Sequence, residues 1–322
     1  MMNFIFTEGH HADRDAWNAF VADNGGDFLQ SWEWGDLQAQ EGARVWRFWI
    51  NEGGERHAAF QVYTQKTRIG TYLYIPHGPV LQKGYALDRK GQNAFVRFVR
   101  TIDPASMFVL SEPLKLLDLA ALPAGWNLQP PKTLWIDTAH PLDVIRKDVA
   151  YSRRQGMGYA VKHGVMIAHG RSREYLDAFT GLIRKTASRQ HFGIFQPEHY
   201  AHILATLPSE IFVASHDGVP IAAAQIVWWG HKAFYLHAGS DDGNKKLRAP
   251  DLLVWSVIEE AQRRGCAVFD FWGVDAARWP GVTAFKRSFG GTEVVFSPGR
   301  IMVIHRLRYW AYIAYKRVRK LG

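Results

Sequence analysis

Lys286 sits in AFKRSFGG, between Phe285 and Phe289 and just ahead of a Gly-Gly pair. A cation beside such a turn can reach a carbonyl oxygen or a terminal phosphate, and the two rings offer faces for a nucleobase. The plainer reading is a surface lysine between two core rings. Asp270, in FDFWG, is an acid inside an otherwise apolar strand. Burial without a partner would be costly or would raise its pKa, so it is either a hydrogen-bonding hub or a proton acceptor. His237 lies on a strand beside Tyr235, where an imidazole can take a proton near neutral pH, or can be an ordinary satisfied strand histidine. The loop GNKKLRA puts Lys245, Lys246 and Arg248 just before a helix N-terminus, a place that suits anions. Its single glycine, Gly243, argues against a phosphate cradle built from backbone alone, and a solvated turn is the alternative. His199 and His202 have near-helical spacing, but no H-E-x-x-H or acidic cluster accompanies them, so no metal is expected.

Such groups need a scaffold to position them. The 322 residues, 47% hydrophobic with 13 Trp, suit two medium domains or one large one and argue against disorder. The single cysteine, Cys266, excludes a disulfide framework and any multi-cysteine metal site, and fits a reducing compartment. The start, MMNFIFTEGHHADRD, lacks the basic and apolar regions of a secretory signal, and no apolar run is long enough to cross a bilayer. A cytoplasmic location is expected. The net charge is +9, but Arg300 to Gly322 holds seven cations and no acid, so the rest of the chain is nearly neutral.

Periodicity and breakers then give the elements. Asp27 to Gln40 reads as a capped helix, and Val45 to Ile50 with Ala58 to Tyr63 as a hairpin turned at NEGGER. Thr71 to Leu81 reads as a strand broken by Pro and Gly, Asp88 to Ile102 as a helix, and Met107 to Pro113 as a strand. After a basic stretch, Ile145 to Lys162, come helices at Arg173 to Arg189 and Pro197 to Leu207. A hairpin turning at Asp217-Gly218, a strand at Ala233 to Ser240, a helix at Pro250 to Arg264 and a strand at Cys266 to Trp272 follow. The order of elements repeats, so a duplicated α/β unit of about 150 residues is expected.

The segments FLQSWEWGDLQ (Phe28 to Gln38), YIPHGPV (Tyr74 to Val80), Tyr235 to Val274 ending in DFWGV, and GVTAFKRSFGG (Gly281 to Gly291) together resemble the FemABX family. Its members are aminoacyl-tRNA-dependent peptidyltransferases that build peptidoglycan cross-bridges. The resemblance runs in family order over most of the chain. It implies a mixed α/β fold of two tandem GNAT-like acyltransferase domains without the long helical arm: residues 1–145, then 146–304, with a C-terminal helix, 305–322, packing back on the first. The implied reaction is attack by a stem-peptide amine on the ester that joins an amino acid to tRNA. Alignment, oxyanion stabilisation and a route for the amine's proton are what the protein must supply, with no cofactor. The resemblance associates Lys286 with the tRNA end; with Phe285, Asp270 and His237, read above from the residues themselves, it makes up the expected catalytic set. Arg189, in TASRQHFGI, resembles an arginine that contacts the cell-wall precursor. With Tyr235, Trp34, Gln38, His77, Lys245, Lys246 and Arg248 it makes up the expected substrate-binding set.

Two positions depart from the family. Gln38 stands where a lysine is common and His77 where an arginine is common, which lowers the positive charge of the first domain and leaves open a nucleotide-linked (UDP) or a lipid-linked precursor as acceptor. In the last helix Leu307, Trp310, Ala311, Ala314 and Val318 form one stripe, with basic residues at both ends. That helix is expected to dock on the first domain, with its cations available to RNA or to a membrane surface. Two other functions compete. The loop before Pro250 resembles the pyrophosphate-binding section of GNAT enzymes, which suggests an acyl-CoA N-acyltransferase; the basic tail suggests a non-catalytic RNA- or membrane-binding module.

Overall fold

The computed structural model describes residues 4–112, 126–190 and 193–321. Pro113, where the sequence reading ends a strand, and Gly322 lie outside them. The chain divides into two compact units, Met1–Pro131 with Phe296–Gly322, and Lys132–Val295.

Unit 1 is built on β1 (Phe4–Glu8), β2 (Val45–Glu52), β3 (Glu55–Thr67), β4 (Gly70–Pro76), β5 (Val80–Leu81) and β6 (Phe108–Glu112), joined by α1 (Arg14–Asp23), α2 (Trp32–Gln40) and α3 (Arg89–Val99). Unit 2 contains β7 (Lys132–Asp137), α4 (Leu142–Asp148), α5 (Tyr151–Lys162), β8 (Met166–Gly170), α6 (Arg173–Gln190), α7 (Pro197–Thr206), β9 (Ser209–His216), β10 (Val219–Trp229), β11 (Lys232–Ser240), α8 (Ala249–Arg263), β12 (Val268–Asp270), α9 (Pro280–Arg287) and β13 (Thr292–Val295). The chain then returns to unit 1 with β14 (Arg300–Val303) and α10 (Arg306–Leu321).

Both sheets have the same plan. Unit 1 runs β1-β2-β3-β4-β6-β14, with β5 beside β3, and unit 2 runs β8-β9-β10-β11-β12-β7-β13. In each, one pair is parallel, β4 with β6 and β11 with β12, and the strand beyond that pair is antiparallel. A helix, α3 or α8, links the parallel strands, as a parallel connection requires. The strand completing unit 2 before its own first strand is β7, and the strand completing unit 1 is β14, contributed from the far end of the sequence. The units therefore exchange at 131/132 and 295/296 rather than at 145/146 and 304/305. KTLWID and RIMV are too short to announce themselves by period, and only their ladders to β12 and β6 reveal them.

Local chemistry explains the elements around the site. Asp27 caps a short 3-10 turn by accepting from Leu29 N–H, and Ser31 caps α2 by accepting from Trp34 N–H, so the single helix expected from Asp27 is split in two. In α8, Leu253, Val254, Val257, Ile258 and Ala261 are buried as one stripe, and Gly265 takes φ 74° just past its end. The unit 2 sheet is covered by two apolar clusters, one formed with α5 and α8 and the other with α6 and α7.

Candidate functional site

In unit 2, β12 stops where β11 continues. Phe234 pairs with Asp270, the last residue of β12, whereas β11 runs on to Ser240 beside β10 alone. The chain leaves β12 through Trp272 at φ 51° and Gly273 at φ 105°. This turn exposes carbonyls that a continuing strand would have used. Two of them are taken by Lys286, which α9 brings in: its Nζ donates to Phe271 O at 2.8 Å and to Gly273 O at 2.7 Å. An ammonium has three donors. Phe271 O and Gly273 O are the two acceptors found for it among the described residues. Burial pushes the Lys286 pKa down to about 8, with the charge of Asp270 acting in the opposite sense.

Asp270 is the hub of this turn. It accepts from the Thr133 hydroxyl, from Trp135 Nε1 at 2.7 Å and from Trp272 N at 2.8 Å. Thr133 also accepts from Gly273 N at 3.1 Å, so β7 and the turn hold each other. Burial raises the Asp270 pKa, and these donors oppose the rise. Of the two readings of this acid the hydrogen bonds favour the hub, because its oxygens are engaged by groups that fix the carbonyls beneath Lys286.

Several expectations need correcting. His237 does not titrate near neutral pH: burial, with smaller contributions from His199 and Lys286, pushes its pKa down to about 3. It is a neutral ring packed edge-on against Tyr200 at 5.2 Å. Phe289 is fully buried and Phe285 packs on the same core, so the pair is not an open platform for a nucleobase. Arg153 covers Phe285 as well, its guanidinium 4.8 Å from the ring centroid. Tyr235 is buried, and burial raises its pKa, leaving a neutral core phenol rather than a surface contact.

The loop before α8 is not an anion cradle either. Residues Asp242–Leu247 form a 3-10 helix, and Arg248, at φ 60°, ion-pairs with Asp251 at 2.7 Å and donates to Ser152 O. Asp251 is buried in the first turn of α8 and also pairs with Arg153 at 2.8 Å. A Cβ on Gly156 of α5 would lie 2.1 Å from the same carboxylate, which shows how closely α5 covers this turn. The first turn of α8 is thus already engaged by a protein carboxylate and the two guanidiniums paired with it. Lys245 and Lys246 are exposed. Arg189 ion-pairs with Asp242 at 3.3 Å and donates to Ser240 O.

The remaining expected contacts belong to unit 1. Trp34 is buried and donates to the Tyr63 hydroxyl at 3.3 Å, and Gln38 is buried on α2. His77, at φ 44°, is buried with Nδ1 on the Asp27 carboxylate, so it does not present an exposed cation. The FLQSW motif also has a structural role here. Gln30 accepts from Gln61 N at 2.8 Å and donates to Pro76 O, while Gln61 donates to Leu29 O and Ser31 O. Arg153, Thr133 and Trp135 were missed from the sequence; they lie more than 90 residues from their partners, and no spacing rule links them. Among the described residues no group of three or more His, Cys, Asp or Glu could hold a metal ion.

The duplicated sheet and the parallel pair that separates beyond Asp270 define a tandem GNAT-like fold. The solved structures agree. The chain is similar to "Crystal structure of FemX" with TM-score 0.81 at 17% identity, covering 95% of this chain and 99% of that one. It is also similar to a tandem GNAT protein from the clavulanic acid biosynthesis pathway, with TM-score 0.56 at 12% identity over 93% of this chain and 99% of that one. A further likeness is to the C-terminal domain of a putative lysylphosphatidylglycerol synthetase from Agrobacterium fabrum, with TM-score 0.54 at 14% identity over 76% and 81% of the two chains. No curated protein sequence matches the chain. Residues 207–317, which include β11, α8, β12 and the Lys286 helix, match the FemAB family. With the FemX likeness in fold, this bears out the resemblance drawn from the motifs: residues 207–317 carry the FemAB pattern, and the chain as a whole is folded like FemX.

Proposed function

We propose that the protein transfers an amino acid from aminoacyl-tRNA to an amine of a peptidoglycan stem peptide, with Lys286 as the electrophilic group. The observation that carries this reading is the Lys286 ammonium, held on Phe271 O and Gly273 O. The substrate amine attacks the ester carbonyl and loses a proton, an oxyanion forms, and its collapse expels the tRNA 3′ hydroxyl, which takes up a proton. A fixed ammonium stabilises charge that develops in that sequence without having to reorganise. Because its pKa is lowered to about 8, Lys286 can also pass a proton towards the leaving hydroxyl at modest cost. His237 and Asp270 serve as packing and positioning groups.

The acyl-CoA alternative is disfavoured because Asp251, paired with Arg153 and Arg248, already engages the first turn of α8. The test is transfer of labelled amino acids from total charged tRNA to nucleotide-linked and lipid-linked precursors, with and without ribonuclease. Label that enters either acceptor and vanishes with ribonuclease is the expected result. Absence of transfer together with calorimetric binding of coenzyme A would reverse the ranking.

A further inference from the structure

The last helix docks through a different face from the one its apolar pattern suggests. Tyr312 is buried, with its ring 5.3 Å from Phe108, 5.6 Å from Trp126 and 6.1 Å from Tyr72, and Tyr309 adds an edge contact to Phe108 at 5.4 Å. Lys316 lies over Trp126 at 3.5 Å, and Arg308 donates to Ala105 O at 2.8 Å. The tyrosine face, not the aliphatic stripe, is therefore the one spent on unit 1.

The stripe points to solvent. Leu307 is 88% exposed, Trp310 62% and Val318 72%, and Ala311 and Ala314 between them are exposed too. Arg306 and Arg317, also exposed, fall beside this stripe at helical spacing. At the stripe's other edge Arg308 approaches Gly70, in the turn that carries exposed Lys66, Arg68 and Ile69. No acidic residue occurs from Phe296 to the end of the chain.

We propose that this face of α10 seats the protein on an anionic membrane surface, with Leu307, Trp310 and Val318 entering the headgroup boundary and the flanking cations meeting lipid phosphates. The charge and the apolar stripe decide the occupant together. RNA would satisfy the cations but leave Leu307 and Val318 without a partner, and a second copy would bring one basic tail against another. An interfacial helix of this pattern, apolar with Trp on one face and basic beside it, suits lipid. The proposal rests on α10 and its neighbours and does not depend on the transfer reaction.

The test is co-sedimentation of the full chain with vesicles of phosphatidylcholine alone and of phosphatidylcholine containing about a third phosphatidylglycerol. Binding to the anionic vesicles, weakened by salt and about tenfold weaker in both L307S/W310S and R306Q/R317Q, is the expected result. These positions are exposed, so thermal unfolding of the variants should match wild type. Three results would overturn the proposal: no binding of wild type to anionic vesicles, binding that L307S/W310S leaves intact and tRNA competes away, or a dimer in solution that L307S/W310S converts to monomer.

Discussion

The two units handle one structural problem in different ways. In each, the second strand of the parallel pair carries a buried acid, Glu112 on β6 and Asp270 on β12. In unit 1 it is the first strand of the pair, β4, that ends, at Pro76 opposite Glu112. The carbonyls at and just after this end of β4 are met by neutral donors: Gln30 Nε2 on Pro76 O, and the Ser111 hydroxyl on Gly78 O at 3.0 Å. In unit 2 only β12 stops, and the carbonyls beyond it are met by the Lys286 ammonium. An amide or hydroxyl closes such a gap without charge, whereas an ammonium closes it with one. The same topology thus places neutral donors at the end of β4 in unit 1 and a charged donor at the end of β12 in unit 2.

This contrast can be broken experimentally. The largest effect is expected from Lys286→Met, which should lower kcat for transfer by about a hundredfold to a thousandfold, with a smaller loss of about 1–3 kcal/mol in stability because Phe271 O and Gly273 O lose their donor. If Glu112→Ala lowered kcat as far with the fold intact, the asymmetry between the units would be lost. Asp270→Ala leaves three donors without an acceptor and should cost about 2–4 kcal/mol in urea unfolding, with activity falling as the turn under Lys286 loosens. Gly156→Ala pushes a methyl into the Asp251 carboxylate and should cost about 1–3 kcal/mol, read as a lower urea midpoint at unchanged slope.

The smallest effect concerns pH. The charged form of Lys286 is the useful one, and its fraction falls as pH rises through about 8, so kcat should decline on that alkaline side. Lys286→Arg, whose side chain stays charged beyond about pH 12, should lose activity overall but also lose this alkaline decline. A wild-type profile flat to pH 10 would remove Lys286 from the charged-donor role.

Much of the scaffold was legible because its signals are local. The α8 stripe, the Gly53-Gly54 turn of the β2-β3 hairpin and the repeated element order follow from periodicity and backbone preference within a few residues. The motif containing Lys286 was legible by resemblance, but its hydrogen bonds were not. Phe289 reads as a ring able to stack on a ligand and is instead core, because an apolar residue beside a cation has the same pattern in either case.

What the sequence by itself determined was the duplicated α/β plan, the motifs behind the FemAB match and the basic tail. The tertiary structure decided which strands complete each unit, since β7 and β14 are placed by ladders spanning more than 130 residues in one case and nearly 190 in the other. It also decided that Lys286 is pinned with a lowered pKa, that His237 is neutral and that α10 turns its tyrosines inward. The physical reason is common to all of these: burial and hydrogen-bond partners are set by groups distant along the chain, and they decide whether a side chain is charged, spent or free.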